Sequence, residues 1–146
     1  MARLMDTGTF EALAEDLARQ HGDLPRWRAS ARAAAEELRG RAQVCVEAFV
    51  RRAQALGAEQ LVSVSVSEVG PDQKHVDCVQ FSVERGRSIL LCVAIGNAEG
   101  GKMRLVGPFK HGKVEGPCSD FPLRGAELEQ GLEQRMLDLL RQASSV

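Results

Sequence analysis

Around residue 58 the apolar side chains of this chain change their spacing from every third or fourth position to every second. That switch from a 3.6-residue to a 2-residue period constrains the fold more than any other feature. Before it, Trp27, Ala31, Ala34, Leu38, Ala42, Cys45, Phe49, Ala53 and Leu56 form one stripe of a helix over 25–56, widened by Val46 and Val50. After it, Val62, Val64 and Val66 alternate with Ser63, Ser65 and Ser67, as in a half-buried strand. The runs 75–85, 87–96 and 102–109 continue the strand pattern, with Gly86 and NAEGG as turns. Short turns between such runs predict a four-stranded antiparallel meander.

Helical spacing returns on both flanks. Phe10, Leu13 and Leu17 mark a short helix over 9–20; Leu128, Leu132, Met136, Leu139 and Leu140 mark a last one over 125–143. The chain of 146 residues therefore reads as a single α+β domain. Its parts are a helical hairpin over 9–56, an antiparallel sheet over 58–109, a Gly/Pro-rich loop over 110–124 and a C-terminal helix packed on the sheet. A helix over 25–56 spans about 48 Å, against about 38 Å for a compact domain of this size. It must overhang, bend at Gly40, or lie against a partner chain.

The second face of the sheet offers Ser63, Ser65, Ser67, Cys78, Gln80, Ser82, Cys92 and Ala94, with Leu90 beside them. Solvated sheet faces carry more charge than this. The set fits a modestly polar open face, or a face covered by a second subunit, a partner protein or the C-terminal helix, or a groove for a small ligand.

Composition narrows the function classes. The net charge of −1 supplies no field for nucleic acid or an anionic membrane, and 4% aromatics without tyrosine supply no stacking platform. No apolar run reaches the roughly 18 residues of a membrane span, and the N-terminus shows no secretory h-region. Cys45, Cys78, Cys92 and Cys118 form no CxxC pair, and are read as reduced thiols of a cytoplasmic protein.

The local motifs are weak. GNAEGGK (96–102) fits the glycine and lysine spacing of a phosphate loop, but Met103 replaces the magnesium-binding hydroxyl and a strand follows instead of a helix. It is read as a hairpin turn. In GPFKHGKVEGPCSDFPLRG (107–125), His111, Cys118 and Asp120 would form a nucleophile, base and orienter only if the loop brought them together. The plainer reading is a connection with Phe109, Phe121 and Leu123 pinned into the core. Lys102, Arg104, Lys110, His111, Lys113 and Arg124 form a basic cluster that could hold an anion or simply blunt a strand edge. His75 and Asp77 share a strand face but make only two ligands of a metal site that needs three or four. His21 before Gly22 suits the C-terminal end of the first helix. The arginines of the long helix are read as partners of acids on the other helices.

The expected function is a non-catalytic protein–protein interaction or assembly domain, an adaptor, homodimeric, docking through the long helix or the small-residue face at Ser63, Ser65, Ser67, Gln80 and Ser82. No cofactor, metal or catalytic set is expected, no membrane partner, and no nucleic acid. The alternative is a small-ligand or anion-binding domain built on the 107–124 loop and the basic cluster; behind it stands an enzyme dependent on Cys118 and His111.

Overall fold

The alanine-rich stripe decides how the helices meet the sheet. In the computed structural model, which describes residues 6–21, 24–72, 78–97, 99–112 and 116–144, Leu24–Ala55 is one continuous 32-residue helix, α2. It runs through Gly40, where an added Cβ would meet nothing, so glycine there costs helix propensity alone. Ala31, Ala34, Ala35, Leu38 and Ala42 are at most 3% exposed. Side chains this small let the helix axis approach the sheet closely. Past Ala42 the contact line follows Val46, Val50 and Ala53; Cys45, expected in the stripe, is exposed, and Phe49 is only half-buried. A straight line of contact at four-residue steps rotates off the mixed three-and-four stripe, which is why the two readings part there.

A 3₁₀ turn, Glu59–Leu61, leads into the strands. These are β1 (Val64–Val66), β2 (Gly70–Pro71), β3 (Cys78–Arg85), β4 (Ser88–Ile95), β5 (Lys102–Lys110) and β6 (Cys118–Phe121). All pairings are antiparallel, in the order β1-β3-β4-β5-β6, with β2 also on β3. The meander is thus five positions wide rather than four, because residues 118–121 of the expected 110–124 loop form a strand along β5. The third helix, α3 (Ala126–Ser144), follows at once. Leu128, Leu132, Met136 and Leu139 bury its stripe.

Both α2 and α3 lie on one face of the sheet, and one core joins them to Phe81, Val83, Leu90, Cys92, Ala94, Met103 and Leu105. Cross-strand partners share a face, and the rows Phe81–Cys92–Leu105 and Val79–Ala94–Met103–Phe121 fix it. Leu90, Cys92 and Ala94 therefore belong to the helix side, not to the small-residue face where the sequence reading placed them. The two-residue turn at Gly86 and Arg87 pairs Arg85 with Ser88 and hence Val83 with Leu90. One more turn residue would have reversed every side chain of β4.

Helix arginines fasten the sheet's two edges. The β1–β2 edge holds one more residue than β3 between Val66↔Val83 and Gly70↔Gln80, a bulge. Ser67 fills it: its N–H donates to Ser82 O (2.9 Å) and its hydroxyl accepts from Ser82 N (2.8 Å). Arg39 of α2 donates to Ser67 O (2.6 Å) and to Glu68 (3.3 Å), and Arg32 to Val69 O (3.4 Å), supplying the partners that the broken ladder lacks. On the opposite edge Arg135 of α3 donates to Gly107 O and Pro117 O, both at 2.7 Å, and to the Ser119 hydroxyl. Arg85, only 7% exposed, reaches Leu140 O at 2.7 Å. Arg41–Glu129 (3.1 Å) and Arg124–Glu37 (2.7 Å) tie α2 to α3 and its approach. Arg32, Arg39 and Arg41 of α2 thus serve the fold, on backbone carbonyls as well as acids.

The first helix, α1 (Thr7–His21), stands apart. Every side chain from Thr7 to Arg19 is exposed, so the expected hairpin with α2 has no buried seam. At the junction, α2 starts against the end of β4. A Cβ on Gly96 would stand 2.4 Å from the Trp27 carbonyl oxygen, a contact only glycine permits.

Candidate functional site: the open face of the sheet

The register that assigns one face to the core assigns the rest of the sheet to the other. Its rows are Cys78–Ile95–Lys102, Gln80–Val93–Arg104–Asp120, Ser82–Leu91–Val106–Cys118 and Glu84–Ile89–Phe109. Phe109 reaches this face because the register slips between Ile89 and Leu91, where Gly107 and Pro108 stand opposite Leu90. Ile89, Leu91, Val93, Ile95, Val106 and Phe109 thus form one apolar patch over β4 and β5. Val93 and Ile89 are 8% and 9% exposed, and the other four are half-buried. No described helix packs over them. Ser65, Gln80, Ser82 and Glu84 border the patch on the β3 side.

The β5–β6 border is charged. Asp120 accepts two hydrogen bonds from Arg104 (2.8 and 3.1 Å) and lies 3.3 Å from the Lys102 ammonium. The Arg104 hydrogen bond, opposed by some desolvation and helped by Lys102, holds the Asp120 carboxyl below the usual range.

The basic cluster read from the sequence does not assemble as one site. Lys102 and Arg104 share Asp120 on the open face, whereas Arg124 pairs with Glu37 on the helix side, where its hydrogen bond holds the Glu37 carboxyl down. Lys110 is exposed at the end of β5, and the His111 imidazole lies 3.9 Å from Glu84. Lys113 lies outside the described residues. A cavity of about 130 Å³ adjoins Arg124, but it is lined also by Glu37, Leu38, Arg41 and Glu129, so the guanidinium there is already answered.

The cysteine–histidine arrangement separates too. Cys118 pairs with Val106 while His111 follows Lys110, whose partner is Ser88. The two rows stand about 13 Å apart along β5 at strand rise. Asp120, the would-be orienter, is engaged by Arg104. Cys92 is buried, and burial pushes its thiol up, away from a nucleophilic thiolate. All four cysteines are free. Among the described residues no group of three His, Cys, Asp or Glu could hold a metal; His75 and Asp77 lie outside them. GNAEGGK is the β4–β5 turn, in which the Asn97 side chain accepts from the N–H groups of Glu99 and Gly101, both at 2.9 Å.

Ser63, Ser65 and Ser67 are exposed along the β1 edge, and Gln80 and Ser82 are half-buried on the open face. Ser65, Gln80 and Ser82 form its polar side. The apolar side was announced by RSILLCVAIG, apolar at both alternations, but which alternation faced outward depended on the register.

No protein-family model matches this chain, and comparison with curated proteins and with solved structures returned no match. No described helix is long and apolar enough to cross a membrane.

Proposed function

We propose that this chain is a non-catalytic protein–protein interaction domain that self-associates through the open face of its sheet, in the cytoplasm. One observation carries the reading: β4 is apolar on both faces, and the chain's own helices cover only one. A contiguous apolar patch with a polar and charged border is the usual anatomy of a protein interface. The long helix, the other candidate surface, has its alanine stripe consumed by the core, which leaves the sheet face as the docking surface. Four free cysteines are in keeping with a reducing compartment.

Leu91→Glu tests this at the centre of the patch. Size-exclusion chromatography with light scattering is expected to show the wild type as a dimer and the variant as a folded monomer, with unchanged circular dichroism. Ser65→Arg, at the border, is expected to weaken the dimer less. A dimer that tolerates both substitutions overturns the reading.

A further inference from the structure

The open sheet face is one apolar surface that no described helix covers, and α1 carries another. Phe10, Leu13 and Leu17, one to two turns apart on a single side of that helix, are 61%, 52% and 45% exposed. We propose that the two surfaces complete each other between chains: in a dimer, the apolar stripe of each α1 lies on the open sheet face of the second copy. This rests on the reading of that face as an interaction surface and names its occupant.

Dimensions fit. The 15 residues of α1 make a rod about 22 Å long, and the 8 residues of β4 run about 27 Å. A helix about 10 Å wide covers roughly two strands at about 4.8 Å spacing, the width of the patch on β4 and β5. Counting both surfaces of both contacts, two such footprints cover about 900 Å² in flat projection, before side-chain relief enlarges it, near the lower bound of about 1,000 Å² for a specific interface.

The same chain's α1 does not lie on this face: every side chain from Thr7 to Arg19 is exposed.

Symmetry agrees. Each copy offers one helix and one face, so a reciprocal exchange satisfies both and closes as a two-fold dimer.

The test uses the full chain with Leu13 replaced by a photo-cross-linking benzoylphenylalanine. Isotopically heavy and light chains are mixed, irradiated and digested. Cross-links from position 13 to peptides of 88–109 that join heavy to light chains are expected. Links within one chain, or to α2 or α3, overturn the proposal. A second arm uses Leu13→Glu and Leu91→Lys. Each alone is expected to weaken self-association on the order of 1,000-fold, since it strikes both contacts of the dimer. Mixed, they are expected to form a heterodimer that retains one native contact and opposes Glu to Lys in the other. If Leu91→Lys dissociates the dimer and Leu13→Glu does not, α1 is not the occupant while the face remains an interface. If neither does, or the wild type is monomeric, both readings fall.

Discussion

Strand β4 meets two different surroundings. On one side Leu90, Cys92 and Ala94 are completely buried beneath α2 and α3. On the other, Ile89, Leu91, Val93 and Ile95 are equally apolar, and no described helix covers them. Hydrophobicity alone does not separate the two rows. Cover does, and cover came from the alanines of α2 and the leucines of α3. A strand apolar on both faces belongs inside a three-layer arrangement, and a single chain supplies two layers. The difference between the faces is the reason to look for a third layer in a second copy.

Thiol chemistry offers the widest contrast between the faces. Cys92 sits on the helix side, fully buried with its thiol pushed up, and Cys118 is exposed at the rim of the open face. A thiol reagent is expected to label Cys118 about 1,000-fold faster than Cys92, because Cys92 reacts only through large-scale opening. Comparable rates, followed by peptide mass spectrometry, would break the comparison.

Truncations on the two faces should differ nearly as much. Phe81→Ala, on the helix side, is expected to cost about 3–5 kcal/mol of stability. Leu91→Ala is expected to cost less than about 1.5 kcal/mol in dilute, dissociated protein, because water already reaches the site. Urea unfolding at low concentration measures both.

The edge clamp is a smaller effect. Arg135→Ala removes three hydrogen bonds and leaves Gly107 O and Pro117 O without their guanidinium partner. A loss of about 2 kcal/mol is expected, with hydrogen exchange in β6 accelerating more than in β3.

The smallest expected effect lies on the open face's border. Asp120 is held below its ordinary pKa in the folded chain, so its contribution is complete above the unfolded value, near about 4, and fades as pH falls through the folded one. With its side chain 41% exposed, that contribution is under about 1 kcal/mol. Asp120→Asn should show this small deficit at neutral pH and converge with the wild type in acid. A gap that widens in acid would contradict the assignment.

The sequence made much of this fold legible. The period switch near residue 58 separated helices from strands, and Leu128, Leu132, Met136 and Leu139 identified the buried side of α3 correctly. Three things were hidden. Four residues between Pro117 and Pro122 are too few to show alternation, so β6 passed for loop. The outward row of β4 hung on whether the turn after Arg85 held two residues or three, a choice local propensity leaves open. The arginine clamps join residues such as Arg39 and Ser67, or Arg135 and Gly107, that only the tertiary fold brings together. The candidate site inherited the second uncertainty: its serine side was visible, and its apolar side was credited to the wrong alternate residues.

Methyl NMR of the full chain over a dilution series tests the central claim most directly, because it reads the two faces of the sheet separately. From millimolar to low micromolar concentration, the methyl signals of Ile89, Leu91, Val93, Ile95 and Val106 are expected to shift or broaden, while those of Leu90, Leu105, Leu128 and Leu139 stay in place. Open-face methyls that do not move, in a chain whose mass stays at 15.9 kDa throughout, would contradict the account.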